Sequence, residues 1–427
     1  MVGRPVACDY MTQPRRELDL VLYGASGFTG RLVAEYLART APAGTTIGLA
    51  GRSVDKVNAV RDALGEGASS WTVLPADSGD QASLDSMAQR ARAVVTTVGP
   101  YSRYGLPVVE ACATAGTHYA DLAGEVLFMR DSIDRYDGTA RKSGARIVHS
   151  CGFDSIPSDL GVLELAQAVA AAGAGLLGPT TLAVTGMRGG ASGGTIASFT
   201  AETAAMRADP ARRATVRDPY GLSPDRAAEP DLGDESDVAT SFFDDQLEQW
   251  VAPFAMAFIN TRTVRRTNAL LGYPYGRTFR YREVMAYGAG PEAATKATAM
   301  ATAVRGGTAL LGNRITGGVA SAVADRVVPA PGEGPDEQTR RRGYFQMEIH
   351  TETTTGARFV EYVAGQGDPG YAATSVMLGQ AGLSLALDGD SLPAVSGVLT
   401  PAATFGSLLV DRLRAAGMTF DAVPLET

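Results

Sequence analysis

Cysteine is scarce in this sequence. Among 427 residues there are three cysteines, Cys8, Cys112 and Cys151, which are far apart and odd in number. This count argues against a disulfide framework or a cysteine-based zinc site and favours a reducing compartment. We therefore expect a cytoplasmic protein without a bound metal.

Long apolar runs and basic blocks are also missing. No segment has the run of about 18 apolar residues that a membrane-spanning helix needs. The nearest, 297–323, is interrupted by charge. It predicts packed small-residue helices, with contact at the inner face of a membrane as the alternative. The net charge of -8 comes without a basic block, which argues against a nucleic-acid partner. Residues 1–16 contain no apolar signal stretch and predict a flexible tail, in which Met11 is an alternative start.

Apolar segments of strand length alternate with helical patterns over residues 17–175. This alternation predicts an α/β fold whose N-terminal Rossmann domain is a doubly wound parallel sheet. The strands are predicted at 18–23, 45–50, 71–75, 93–98, 118–122 and 146–149, and the helices at 31–39, 54–64, 81–91, 106–115 and 154–172.

The pattern changes over residues 176–369, where we predict a second α+β domain with a mainly antiparallel sheet. Its strands are expected at 181–187, 278–285, 344–353 and 358–363. The segment near 209–245 is rich in glycine, proline and charge, which predicts a long surface connection or a lid. Helices in 370–427 are expected to pack back on the first domain.

A glycine-rich motif, Gly24-Ala25-Ser26-Gly27-Phe28-Thr29-Gly30, lies between the first strand and the first helix. Gly24 permits a tight turn, Gly27 lets a diphosphate approach the helix N-terminus, and Gly30 allows the helix to pack closely on the sheet. The spacing predicts a dinucleotide site. The alternative is a turn without a ligand.

The end of the second strand indicates which cofactor binds. An acidic residue that would bind the ribose 2′-hydroxyl of NAD is missing there. Arg52, Ser53 and Lys56 stand there instead and can bind a 2′-phosphate, so we predict NADP(H). A solvated arginine is the alternative.

Asp77 is placed to contact the adenine or to cap a helix. Val98-Gly99-Pro100-Tyr101 should approach the nicotinamide.

Several segments resemble the saccharopine dehydrogenase-like family, and within it the mycobacterial-type trans-acting enoyl reductases. The resemblance covers nearly the whole chain and is carried by residues 21–30 (VLYGASGFTG), 50–53 (AGRS), 96–101 (TTVGPY), 104–107 (YGLP), 118–125 (HYADLAGE), 151–159 (CGFDSIPSD), 260–262 (NTR) and 399–403 (LTPAA).

This resemblance implies a Rossmann domain, a second domain on the substrate side, and NADPH. It also implies reduction of a double bond in a polyketide-derived lipid chain that a partner synthase presents. Saccharopine reductases proper have a Gly-x-Asp-Pro-Gly turn where this chain has Gly152-Phe153-Asp154-Ser155-Ile156. That departure argues against an amino-acid substrate.

Enoyl reduction needs a hydride donor and a proton for the α-carbon. Tyr101 and Tyr104 are candidate proton donors, with an aromatic wall of the cofactor pocket as the alternative. His118 clusters with acidic residues near the end of strand five and could relay a proton or be structural. Asp154 could touch the substrate or shape its turn.

Two further features have open interpretations. The loop 188–195 could bind an anion or the cofactor, or be a connector. Arg262, Arg265 and Arg266 could bind a carrier-protein phosphate or form a solvated face.

Three hypotheses for function follow. An enoyl or keto reductase predicts an apolar groove beside the nicotinamide. A saccharopine-type amino-acid dehydrogenase requires cationic groups there, and a non-catalytic NADP(H) sensor or scaffold predicts a blocked pocket. We keep a homodimer as one possible assembly.

Overall fold

The computed structural model describes residues 16–190, 193–312 and 334–425. Cys8, Met11 and parts of the segments 188–195 and 297–323 lie outside these ranges. The described residues form two seven-stranded sheets with helices packed on them.

The first sheet and its helices come mainly from the N-terminal half of the chain. All strand pairs of this sheet are parallel, in the order β13-β6-β5-β4-β1-β2-β3. The elements are β1 Leu18–Tyr23, α1 Phe28–Thr40, β2 Ile47–Gly51, α2 Val54–Ala63, β3 Thr72–Pro75, α3 Gln81–Arg90, β4 Ala91–Thr96, α4 Tyr101–Ala115, β5 His118–Ala120, α5 Val126–Ser143, β6 Arg146–Val148 and α6 Ile156–Ala171.

The second sheet has the order β14-β12-β11-β7-β10-β9-β8, and within the described residues only β7 and β10 pair in parallel. The remaining elements are β7 Leu177–Arg188, α7 Gly193–Ala208, α8 Pro210–Arg217, β8 Phe242–Asp244, β9 Gln249–Pro253, α9 Ala257–Leu270, β10 Arg280–Ala286, α10 Pro291–Gly312, α11 Glu337–Arg341, β11 Tyr344–Thr353, β12 Arg358–Gln366, α12 Thr374–Leu387, β13 Gly397–Leu399, α13 Pro401–Phe405, α14 Ser407–Ala415 and β14 Thr419–Leu425.

The predicted fold class is confirmed, but several local features differ from the prediction. Helix α5 was not predicted, although Val126, Met129 and Ile133 are buried at helical spacing. Helix α4 begins at Tyr101, five residues earlier than expected, so this tyrosine lies in a helix and not in a loop. The C-terminal segment adds β13 to the first sheet as well as β14 to the second. The proposed domain boundaries stay predictions.

Helix α9 anchors the connection between α7 and β8. Its three arginines are at most 5% exposed, so they form neither a solvated face nor an open phosphate site. Arg262 donates to the carbonyl of Val216 and pairs with Asp237 at 2.6 Å. The sequence predicted a surface connection or a lid. In the structure, hydrogen bonds and ion pairs with buried arginines of α9 fix this segment against the helix.

Arg266 is the most buried of these arginines. Its guanidinium donates to the carbonyl oxygens of Leu222 and Val398, both at 2.6 Å. The first lies in the connection and the second in β13, so one side chain joins the two segments. Burial lowers the pKa of Arg266 to about 9, which still leaves it charged at neutral pH.

No helix in the described ranges is both long enough and apolar enough to cross a membrane.

We expect Arg266→Ala to lower the free energy of unfolding by about 3 kcal/mol, because two buried carbonyl groups lose their donor. Urea unfolding at pH 7 measures this loss. Arg341→Ala is the matched control, since Arg341 is exposed and, among the described residues, forms its salt bridge with Glu337 on its own helix. It should change stability by less than about 0.5 kcal/mol. Equal losses in the two variants would contradict a structural role for Arg266.

Candidate cofactor and active site

The loops that follow the parallel strands meet at one edge of the first sheet. Because β1, β2, β4, β5 and β6 run in the same direction, their carboxyl ends share that edge. In such sheets ligands bind at the carboxyl edge. The predicted glycine motif, Arg52, Val98 and Asp154 all lie in loops at this edge.

The glycine motif forms a tight turn from β1 into α1. Gly24 has φ of +92°, and a Cβ atom there would lie 2.7 Å from Val98 Cγ2. A Cβ atom at Gly30 would overlap the carbonyl oxygen of Gly24. Gly30 therefore lets the helix pack against the loop itself, and not against the sheet as predicted. Gly27 is exposed at the start of α1, Ala25 is buried, and Ser26, Phe28 and Thr29 are half-buried.

The N-termini of the neighbouring helices are already capped by protein groups. Ser53 caps α2 and Asp80 caps α3. The carboxylate of Glu125 accepts the amides of Tyr101 and Ser102, both at 2.8 Å, at the start of α4. The carboxylate of Glu202 accepts the amide of Leu127 at 2.9 Å, near the start of α5.

Helix α1 is different, because it has no side-chain cap and no acidic residue in its first turn. Its free N–H groups and helix dipole favour an anion. A diphosphate fits this position, whereas a carboxylate already occupies the corresponding position on α4 and on α5.

The groups predicted to select the cofactor lie at the end of β2. Arg52 and Lys56 are exposed, and within the described ranges Arg52 makes no ion pair. Ser53 accepts the amide of Lys56 at 3.5 Å, so it also serves as a helix cap. Asp77 accepts the amide of Gly79 at 2.9 Å and shapes its own turn, while the cap of α3 is Asp80.

The two candidate tyrosines differ in access. Tyr101 is 4% exposed, and its hydroxyl donates to the carbonyl of Thr96 and accepts the amide of Leu122. Burial raises its pKa well above the ordinary value. This geometry favours the alternative role of Tyr101 as an aromatic wall of the pocket, because its hydroxyl is already used to join β4 to the loop after β5.

Tyr104 is half-buried, with the guanidinium of Arg103 at 5.1 Å from its ring. Val98 and Pro100, which flank exposed Gly99, are half-buried.

His118 lies at the opposite edge of the sheet from the glycine loop. It is the first residue of β5, and its Nδ1 accepts the amide of Arg146 at the start of β6. Burial, with the charges of Arg146 and Arg16, lowers its pKa to about 4. The expectation that His118 lies near the end of strand five is therefore wrong, and its position gives no support to a catalytic role.

Asp154 lies at the carboxyl edge, in the loop between β6 and α6. A Cβ atom added at Gly124 would lie 3.5 Å from its Oδ1 and 3.9 Å from the methyl carbon of Met256. The residue keeps some exposure, yet burial raises the pKa of its carboxyl group to about 7, helped by the negative charge of Asp121. Burial thus favours the neutral, protonated form of this carboxyl group more than in an ordinary aspartate.

Sequence reasoning missed the contribution of α7 to this edge. The hydroxyl of Ser198 donates to Glu125 at 2.6 Å, and Glu202 is 4% exposed in the interior. Burial raises the pKa of Glu202 to about 7. Polar residues on an amphipathic helix give no signal of this role, because their partners lie more than seventy positions away in the chain.

A second network of buried hydrogen bonds lies under the loops at the same edge of the sheet. His149 Nδ1 lies 2.7 Å from Asp121, and its Nε2 lies 2.9 Å from Ser132. Asp121 also accepts the hydroxyl of Tyr119 at 2.8 Å. All of these side chains are buried, so the network fixes the loops after β5 and β6.

Comparisons with known proteins agree with this geometry. Residues 20–148 match the saccharopine dehydrogenase NADP binding domain. A protein of Mycobacterium tuberculosis (strain H37Rv), named provisionally as a trans-acting enoyl reductase, is 51% identical over 427 residues, covering 97% of this chain and all of that protein. The trans-acting enoyl reductase of Mycobacterium ulcerans is 45% identical over 420 residues, with coverages of 97% and 100%.

The chain belongs to the trans-acting enoyl reductase family.

The fold of this family member is that of saccharopine dehydrogenase. The apo enzyme from Saccharomyces cerevisiae (L-Glu forming) superposes with a TM-score of 0.52 at 14% identity, covering 95% of this chain and 99% of that one. The matched NADP-binding domain contains the glycine motif and Arg52, and the predicted cofactor is confirmed. This member of the family is an NADP-dependent oxidoreductase.

We expect Arg52→Ala to weaken NADPH binding at least tenfold, about 1.4 kcal/mol, because the 2′-phosphate loses a guanidinium partner. Nicotinamide fluorescence measures the dissociation constant. Arg61→Ala is the control, since Arg61 pairs with Asp62 on the same domain. It should leave the constant within twofold of wild type. Unchanged binding in Arg52→Ala would assign the 2′-phosphate to other residues.

Proposed function

We propose that this chain reduces the C=C bond of an enoyl group in a polyketide-derived lipid chain, and that a partner synthase presents the substrate. The observation that carries this proposal is the carboxyl group of Asp154. It lies at the carboxyl edge of the first sheet, burial raises its pKa to about 7, and the methyl group of Met256 lies on the same side of Gly124.

The reaction requires a hydride at the β-carbon and a proton at the α-carbon. Bound NADPH supplies the hydride. Asp154 holds a proton at its carboxyl group, because burial disfavours the carboxylate. A group whose pKa lies close to the working pH is the most effective proton donor. Gly124 has no side chain that would cover this carboxyl group.

Half-buried apolar side chains on the elements around this edge of the sheet suit an acyl chain. Leu122, Met256, Phe199 and Phe258 are half-buried, and the last two rings pack edge to face with centroids 6.0 Å apart. Apolar surfaces with a few placed polar groups are typical of sites for small apolar ligands. These side chains come from the loop after β5, from α7 and from the start of α9.

An amino-acid substrate is disfavoured by the distribution of cations. Burial and the negative charge of Asp121 both raise the pKa of Asp154, and the same environment disfavours a second carboxylate beside it. The arginines of α9 are held in structural contacts, such as that of Arg265 with the carbonyl of Tyr281. Reduction of an uncharged enoyl group fits this environment better.

A separate synthase as the source of the substrate is supported by the relatives, which are named trans-acting. Homodimer formation and contact with a membrane surface stay predictions.

We expect Asp154→Asn to lower the single-turnover rate of reduction of a long-chain 2-enoyl thioester at least about a hundredfold, because an amide cannot donate the proton. The wild-type rate should fall as the pH rises through about 7, where the acid loses its proton. This decline should be missing in the variant, while its affinity for NADPH stays at the wild-type value.

The control for the pH dependence is Glu202→Gln. Glu202 titrates in the same range but contacts the N-terminus of α5. Its variant should keep the decline near pH 7. A variant Asp154→Asn with the full rate would exclude Asp154 as the donor. Tight NADPH binding without reduction of any enoyl thioester would favour the sensor or scaffold.

A further inference from the structure

The side chain of Phe28, in the glycine motif, contacts residues from the second half of the chain. Its ring packs edge-on against Tyr371, with centroids 4.9 Å apart. A Cβ atom at Gly334 would overlap this ring, so the backbone there approaches Phe28 closely. The guanidinium carbon of Arg340 lies 5.3 Å from the centroid of the same ring. A cation of the second domain thus faces the loop that binds the cofactor.

Arg340 is held in place by α11. The helix begins after Asp336, whose carboxylate accepts the amide of Thr339 at 2.8 Å. The neighbouring Arg341 pairs with Glu337, but in the described part of the chain no carboxylate lies within ion-pair distance of Arg340. The positive charge of Arg340 lowers the pKa of Asp368, but burial has the larger effect and raises this pKa above its ordinary value. One guanidinium nitrogen of Arg340 donates to the carbonyl oxygen of Pro335, and in the described part of the chain the guanidinium forms no salt bridge.

The backbone N–H groups at the start of α1, beside Arg340, favour an anionic ligand. Helix α1 starts at Phe28 and has neither a side-chain cap nor an acidic first turn. The diphosphate of a dinucleotide is the anion that fits this position. Two negative charges close to one helix end are stabilised further by a guanidinium, which can donate two parallel hydrogen bonds to phosphate oxygens.

We propose that Arg340 binds the diphosphate of NADP(H) from the domain opposite the glycine loop. The residue lies outside the segment 20–148 that matches the NADP-binding domain, so similarity to that domain does not assign it. Phe28 positions the guanidinium, and Tyr371 positions Phe28. The inference rests on the NADP site and is independent of the enoyl substrate.

The test compares two ligands that share the 2′-phosphate but differ in the diphosphate. NADPH has both groups, whereas adenosine 2′-monophosphate has no diphosphate. Isothermal titration calorimetry should show about tenfold weaker NADPH binding for Arg340→Gln and unchanged binding of adenosine 2′-monophosphate. Arg52→Ala should weaken the binding of both ligands.

Arg341→Gln is the matched control, because it changes the adjacent arginine of the same helix. It should bind both ligands as the wild type does. Arg340→Lys keeps the positive charge and should weaken NADPH binding by less than Arg340→Gln does, which separates loss of charge from loss of folding. Two results would overturn the proposal: unchanged NADPH binding in Arg340→Gln, or equal weakening of both ligands.

Discussion

The helices that follow the parallel strands direct their first backbone N–H groups towards one crevice, and such groups need acceptors or negative charge. The protein supplies that charge at two neighbouring helices with the carboxylates of Glu125 and Glu202. At α1 it supplies none. This helix end is therefore the position proposed for the diphosphate of the cofactor. The same requirement ties α7 to the first sheet, because Ser198 and Glu202 reach the crevice from that helix.

Burial of charge is the second constraint on this molecule. The guanidinium groups of α9 occupy the interior by donating to backbone carbonyls, and the connection they hold shields them from water. Burial raises the pKa of the Asp154 carboxyl group to about 7. Buried arginines with carbonyl acceptors stabilise the fold. Asp154 lies at the carboxyl edge of the first sheet, and for this reason it is the group proposed for proton transfer.

Much of the first domain could be predicted from the sequence, because buried parallel strands are continuous apolar runs and the glycine motif has a fixed place between strand and helix. The position of Arg52 after β2 could be predicted by the same reasoning, because it is local in sequence; its contact with the 2′-phosphate stays a prediction. Helix α9 could not be recognised, because its buried face is polar and its partners are distant in the chain. His118 was misplaced because β5 has only three residues, so its amino and carboxyl ends are hard to separate in sequence. Arg340 gives no signal until the second domain is placed against Phe28.

Residues 397–425 contribute an outer strand to each sheet, β13 to the first and β14 to the second. Val398 in β13 also accepts the hydrogen bond of Arg266, which lies in the middle of the chain. During synthesis on the ribosome, therefore, neither sheet can acquire its last strand until this late segment has left the exit tunnel. The nascent chain exposes an unpaired strand edge on both sheets until then, and such edges invite association with other chains. Both sheets thus depend on the same stretch of chain for their last strand.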